Sequence, residues 1–262
     1  MADALPLLSM SDGAVESIHE GALAACVPAL SLSQRYLSSL DKIIFISLLS
    51  ERLAAMQHAL SEEDFLPPVA AKETFTYVKN FYADEAYDVF SQSFSDPRLF
   101  YSDSLRDAVS AVEEGRCGYC LLPLEEKGGV RLAGVSQMLY QSDLRIASVT
   151  PVYGYGEETD LTYALISRGF LIPPVNREDD RYLELRLPKE CAALSELIFA
   201  AEAFSAKVYR IHSMRLLCEG RPCDFTSLVF RTEGRDFSHL LAYLFAFVKG
   251  FSPVGIYSNL DT

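Results

Sequence analysis

The stretch Tyr182-Leu183-Glu184-Leu185-Arg186-Leu187 alternates apolar and polar residues, and it opens the segment that decides the fold. Period-two alternation predicts a half-buried strand. After it, the pattern predicts a helix over 191–206, strands over 207–217 and 225–231 with a turn at 220–222, a helix over 236–248 and a final strand over 251–258. The order βαββαβ is that of the split ferredoxin-like unit, an α+β architecture.

The preceding segment alternates between strand and helix patterns. Ser104 has the chemistry of an N-cap for an apolar-faced helix that Gly115 ends. The other predicted elements are strands over 74–78, 99–101, 117–124, 144–152 and 161–167, and helices over 82–94 and 132–142. Such interleaving predicts an α/β layer with a largely parallel sheet.

Two proline pairs divide the chain, because a double proline stops a helix and extends the residue before it. Pro67-Pro68 and Pro173-Pro174 give an N-terminal helical segment over 1–68, an α/β domain over 69–174 and an α+β domain over 181–262. In the first segment, residues 15–30 form a weak helical pattern. Residues 37–60 predict one helix packed on the α/β layer, with these side chains buried: Leu40, Ile44, Leu48 and Met56.

Composition narrows the function classes. The 262 residues carry 36 acidic and 23 basic side chains, a net charge of −13. So acidic a surface repels phosphate backbones and anionic lipid, which argues against nucleic-acid or membrane-surface partners. No apolar run approaches a membrane span, and no basic region precedes an apolar one at the N-terminus. We expect a cytoplasmic protein.

The cysteines are the candidate metal ligands. Cys117-x-x-Cys120, together with Cys218 and Cys223, could supply four soft ligands to zinc. Positions i and i+3 of a strand point to opposite faces, however, so we interpret Cys117 and Cys120 as structural. No glycine-rich phosphate loop precedes a helix. The sequence therefore predicts neither a metal site nor a cofactor.

Two motifs, joined to the βαββαβ order, carry a family resemblance. Residues 103–109 read Asp-Ser-Leu-Arg-Asp-Ala-Val, and residues 115–125 read Gly-Arg-Cys-Gly-Tyr-Cys-Leu-Leu-Pro-Leu-Glu. With the C-terminal module they resemble the prephenate dehydratase family, whose regulatory ACT domain is similar to residues 181–262. The resemblance implies conversion of prephenate to phenylpyruvate, water and CO2, with Thr162 as proton donor and Ser104 and Glu125 near the site.

The departures from the family pattern concern the catalytic motifs. Residues 77–83, Tyr-Val-Lys-Asn-Phe-Tyr-Ala, replace a glycine-rich Gly-Pro-x-Gly-Thr-Phe-Ser, and Glu125-Glu126-Lys127 replaces Glu-Asn-Ser. Thr162-Tyr163-Ala164 keeps the threonine of Thr-Arg-Phe and loses its arginine. The family folds a second lobe where this chain has only residues 150–161, which is loop length.

The ACT resemblance also implies an effector site and an assembly. Its ligand-binding positions correspond here to Ala192, Leu194 and Ser213, and the nearby His212 is structural or effector-adjacent. An aromatic amino acid is the implied effector. The strand 207–217 is partly apolar on both faces, which favours a homodimer through this module. A monomer whose N-terminal helices cover the same surface is the alternative.

Three functions fit these observations. The first is a prephenate dehydratase-like protein of aromatic amino-acid biosynthesis that has lost catalysis and regulates or senses a small molecule. The second is an active dehydratase. The third is a structural subunit of a larger biosynthetic complex. Residues 40–52 also faintly resemble the leading helix of chorismate mutases, with Arg52 as the remnant of such a site.

Overall fold

A computed structural model describes residues 37–154, 159–176, 179–189 and 194–260. The weak helical pattern over 15–30 lies outside these residues. The α-helices are α1 Ser39–Ala55, α2 Phe81–Ser91, α3 Leu105–Glu113, α4 Ala133–Ser142, α5 Leu194–Ala203 and α6 Ser238–Phe247, with a short 3-10 helix at Glu62–Asp64. The strands are β1 Thr74–Tyr77, β2 Arg98–Tyr101, β3 Tyr119–Glu126, β4 Val130–Arg131, β5 Arg145–Tyr153, β6 Thr159–Ser167, β7 Asp180–Pro188, β8 Lys207–Cys218, β9 Arg221–Glu233 and β10 Ser252–Ser258.

The strands form one mixed sheet in the order β2-β1-β3-β6-β5-β10-β7-β9-β8, with β4 paired to β3. Strands β1, β2 and β3 pair in parallel, whereas β6 runs antiparallel to both β3 and β5. The prediction of a largely parallel sheet in this region is therefore wrong. The combination of α/β and α+β parts is confirmed, and the division of the chain into three domains stays a prediction.

Strand β10 joins the C-terminal strands to the rest of the sheet. It runs parallel to β5, with Gly255 opposite Ile146, and antiparallel to β7. A β-carbon at position 255 would lie 2.4 Å from the carbonyl oxygen of Ile146. Only glycine allows the two backbones to approach this closely.

Helix α1 is confirmed in position but not in its buried face. Ser38 caps it, since its Oγ accepts a hydrogen bond from the backbone N–H of Asp41 at 3.2 Å. The buried side chains are Ile43, Ile46, Leu49 and Leu53, which pack against α5 and α6. Of the side chains predicted to be buried, Leu40 and Ile44 are exposed, and Leu48 and Met56 are half-buried. The predicted contact with the α/β layer is also wrong.

Strand β7 is buried on both faces, not on one as predicted. Leu183 and Leu185 point into the core shared with α1, α5 and α6, and Tyr182 points into a second core on the other side. The alternating polar residues are buried as well, with Glu184 only 3% exposed. A buried carboxylate needs partners, and these define the site described below.

Candidate functional site

Two of the three predicted catalytic residues lie opposite each other on neighbouring strands. Glu125 near the end of β3 pairs with Thr162 near the start of β6. Both line a cavity of about 100 Å³, which we call the Thr162 cavity. Its lining residues are Leu124, Glu125, Val149, Pro151, Thr162, Tyr182, Tyr209, Arg210, Val229, Tyr257 and Asn259. The cavity thus lies between the α/β strands and the C-terminal strands.

The third residue, Ser104, is not part of this cavity. It is the exposed N-cap of α3, and its Oγ accepts a hydrogen bond from the backbone N–H of Asp107 at 3.1 Å. The same hydroxyl donates to Asp107 Oδ2 at 2.6 Å. The capping prediction is therefore confirmed, and both hydrogen-bonding functions of the hydroxyl are in use.

Two arginines that were not predicted from the sequence surround Glu125. Arg210 of β8 donates a hydrogen bond to Glu125 Oε2, and Arg131 Nε lies 3.5 Å from Glu125 Oε1. Arg131 also donates to the buried carboxylate of Glu184. The side chain of Arg131 is 8% exposed and that of Glu125 is 10% exposed, so water screens these charges little. The charge of each arginine is balanced within the cluster.

Neutral donors complete the surroundings of Glu184. The Tyr257 hydroxyl donates to Glu184 Oε2 at 3.1 Å, and the Ser227 hydroxyl donates to Oε1 at 3.0 Å. Burial, followed by the negative charge of Glu184, raises the pKa of Tyr257 well above its ordinary value. Tyr257 therefore stays protonated and acts as a donor. We call Arg131, Glu125, Glu184 and Arg210 the charge cluster.

His212 borders the charge cluster from β8. Burial, and then the nearby charge of Arg131, lower its pKa, so the imidazole is held neutral. Its Nε2 is buried and has no hydrogen-bond partner among the described residues. The strand position predicted for His212 is confirmed, and its role, structural or effector-adjacent, stays a prediction.

The turn between β1 and α2 corresponds to the glycine-rich turn of the family resemblance. Here Asn80 caps α2, and its Oδ1 accepts a hydrogen bond from the backbone N–H of Ala83 at 3.0 Å. The hydroxyl of Tyr163 donates to the same oxygen at 3.4 Å. Burial raises the pKa of Tyr163, which is 4% exposed and uncharged. The start of α2 is thus occupied by the chain's own side chains, and the neutral phenol of Tyr163 takes the position of the arginine in the family motif.

The cysteines form no metal centre in the part of the chain that the structure describes. Cys117 and Cys120 are free and buried, and their structural role stays a prediction. The geometric reason given for it is wrong, because Cys117 precedes β3 and both thiols lie in the same hydrophobic core.

The predicted effector residues are only partly described. Ala192 lies outside the described residues. Leu194 begins α5 and is half-buried, and Ser213 is exposed on β8. Strand β8 is the last strand of the sheet, and Tyr209, Ile211 and Leu217 on it are each about half exposed.

No protein-family model matches the chain, and no curated protein matches it. Solved structures, in contrast, match the chain. A prephenate dehydratase from Streptococcus mutans aligns with a TM-score of 0.53 and 15% identity over 72% of this chain and 99% of its own. The chain has a prephenate dehydratase-like fold.

Two further solved structures align with the chain. The prephenate dehydratase of Arthrobacter aurescens, solved in complex with L-Phe, aligns with a TM-score of 0.50 and 13% identity over 70% of this chain and 89% of its own. GqqA, described as a novel type of quorum-quenching acylase, aligns with a TM-score of 0.53 and 16% identity over 72% of this chain and 96% of its own. Identities this low show the fold alone. Among the described residues, no helix is long and apolar enough to cross a bilayer.

Proposed function

We propose that this prephenate dehydratase-like protein belongs to phenylalanine and aromatic amino-acid biosynthesis, has lost dehydratase catalysis, and acts by sensing a small molecule. The observation that carries the proposal is the pairing of the arginines beside Thr162 and Glu125. Holding a dicarboxylate substrate requires cations that are free to bind it. Both arginines of the charge cluster already bind carboxylates of the chain.

The size of the Thr162 cavity supports the same conclusion. Ligand pockets occupy roughly 300–1,000 Å³, whereas this cavity is about 100 Å³. Residues 154–158 alone separate β5 from β6. The chain therefore has no room at this point for the second lobe implied by the resemblance, and strands from the C-terminal module line the cavity instead.

The residues at the β1–α2 turn give independent support. A backbone that binds an anion needs free N–H groups at a helix start. Asn80 occupies one of them, and Tyr163 replaces the arginine of the family motif. An added substrate carboxylate would thus meet a capped helix and a neutral phenol.

The sensing part of the proposal rests on the C-terminal module. We propose that residues 181–262 form an ACT domain and pair in a homodimer through the edge strand β8. Strand β8 is long, lies at the end of the described sheet and exposes Tyr209 and Ile211, so it is suited to pairing with a second copy. An aromatic amino acid would then bind beside Ala192, Leu194 and Ser213, where two subunits meet.

Light scattering tests the sensing proposal. We expect the mass of two chains at micromolar concentration, and a dimer that survives further dilution when L-phenylalanine or L-tyrosine is added, because a ligand shared by two subunits stabilises the dimer by linkage. Glycine is the control ligand, and Ser213→Trp should remove the response. A monomer mass that neither amino acid changes would contradict both assembly and sensing.

An active dehydratase is the second candidate, and the cross-strand pairing of Thr162 with Glu125 is the observation that favours it. In that case Thr162 would protonate the leaving hydroxyl beside Glu125. A chorismate mutase remnant at Arg52, on the last turn of α1, is a further and weaker proposal.

A further inference from the structure

Arg186 of β7 is a buried arginine without a carboxylate partner. The residue is 9% exposed, and its Cζ lies 5.0 Å from the centroid of the Tyr140 ring on α4. Among the described residues, none accepts a hydrogen bond from its five N–H groups. The buried arginines Arg131 and Arg181, by contrast, each bind a glutamate. The cation of Arg186 is therefore unmatched within the described chain.

The charged groups near Arg186 do not balance its charge. Glu184, two residues earlier on the same face of β7, already accepts a hydrogen bond from Arg131. Asp143 Oδ1 and Arg145 Nη1 pair with each other at 2.8 Å, and the Asp143 side chain is 81% exposed, so water screens its charge. Burial lowers the pKa of Arg186 from its ordinary value, because it removes hydration from the cation. A buried cation of this kind is costly until an anion pairs with it.

The guanidinium of Arg186 can be reached from solvent. In the described chain the unpartnered nitrogens that are sealed from solvent include Nε of Arg131 and Nε of Arg181, but no nitrogen of Arg186. The ring of Tyr140 covers one face of the guanidinium, so its in-plane N–H groups form the binding edge. Half-buried Ser252 lies directly opposite Arg186 on β10, on the same side of the sheet. Its hydroxyl is a second donor beside the guanidinium.

We propose that Arg186, with Ser252 beside it, binds a small oxyanion, which is the carboxylate of an organic acid or a phosphate group. Two oxygens of either group match the planar N–H fork of a guanidinium. An uncharged amide of the same shape would leave the buried cation unbalanced. This site does not depend on the amino-acid site proposed at the β8 edge, because β7 is an interior strand of the sheet.

Benzoate, benzamide and inorganic phosphate are the probes, each added at constant ionic strength with chloride as the balancing anion. Benzamide has the shape of benzoate without its charge. Binding is followed through the Nε–H resonance of Arg186 in a ¹H–¹⁵N spectrum and through the urea midpoint of unfolding. We expect an oxyanion to shift the resonance saturably and to raise the midpoint, because it binds the folded chain, and benzamide to do neither. A response to benzoate alone identifies carboxylates as the ligands, and a response to phosphate alone identifies phosphate groups.

Substitutions separate this site from general effects of charge. Arg186→Met should abolish the rise in the urea midpoint and leave the ligand-free chain at least as stable, because the unbalanced buried charge is gone. Arg186→Lys keeps the charge but loses the fork, and it should weaken oxyanion binding about tenfold. Arg215→Met, at a β8 arginine whose side chain is 71% exposed, is the matched control and should bind normally. No saturable response of the wild-type chain to either oxyanion, an equal response to benzamide, or an unchanged response in Arg186→Met would overturn the proposal.

Discussion

Changing Glu62 to Gln tests the contact that ties the N-terminal segment to the C-terminal strands. Glu62 is 5% exposed and Arg181 is 0% exposed, and two hydrogen bonds of 3.0 and 2.6 Å join them. Glu62 Oε1 also accepts the backbone N–H of Phe237 at 2.7 Å. Removing one partner of a buried ion pair leaves an uncompensated charge and costs about 3–5 kcal/mol. We therefore expect Glu62→Gln to lower the free energy of unfolding by about that amount.

Urea unfolding measures this loss. Glu63→Gln, an exposed residue of the same 3-10 helix, is the matched control and should change the free energy of unfolding by less than about 0.5 kcal/mol. The double variant Glu62→Met with Arg181→Met should recover part of the loss, because an apolar pair leaves no buried charge. A Glu62→Gln variant as stable as Glu63→Gln would refute this reasoning.

Three other expectations concern the helical face, the assembly and pH. Ile46→Asp should lower the free energy of unfolding in urea by several kcal/mol and Ile44→Asp by less than about 1 kcal/mol, since Ile46 is 0% exposed and Ile44 is 41% exposed. Equal losses in the two variants would show that this face of α1 is not packed. Ile211→Asp should give the mass of one chain in light scattering, with Ile44→Asp as the dimeric control; a dimer in both variants would count against pairing through β8. Burial and Arg131 lower the pKa of His212 below its ordinary value of about 6.5, so the unfolded chain binds this proton more readily and stability falls as the pH drops below that value. His212→Gln should make the free energy of unfolding less dependent on pH in this range. An unchanged pH dependence in the variant would contradict the lowered pKa of His212.

Local signals in the sequence predicted local structure well. The start of α3 follows from Ser104, whose capping geometry depends only on the next three residues. Gly115 was predicted to end this helix, and it has a φ of +71° just after the helix, in the left-handed region that glycine favours. Such features need no knowledge of distant contacts.

The buried face of α1 could not be decided in the same way. Leu40, Ile44 and Leu48 have helical spacing, and Ile43, Ile46, Leu49 and Leu53 do as well. Both sets form an apolar stripe, and tertiary contacts decide which stripe is buried. Here α5 and α6, from the other end of the chain, contact the second set.

The partners of Glu125 in the charge cluster could not be predicted from the sequence pattern either. Glu125 and Thr162 were singled out through the family resemblance, and their pairing brings them together. Arg210 is 85 residues from Glu125 in the sequence and sits on an alternating strand, so it has the pattern of a solvent-facing cation. Glu184 likewise alternates with leucines, and only a sheet covered on both faces buries it.

The measurement that tests the central claim most directly is phenylpyruvate formation from prephenate by the purified chain, followed at mildly alkaline pH. We predict a rate equal to that of buffer, because the arginines beside Glu125 are paired with glutamates and the cavity is about 100 Å³. Turnover well above the buffer rate would contradict the account if Thr162→Ala abolished it and Thr226→Ala, at another half-buried strand threonine, did not.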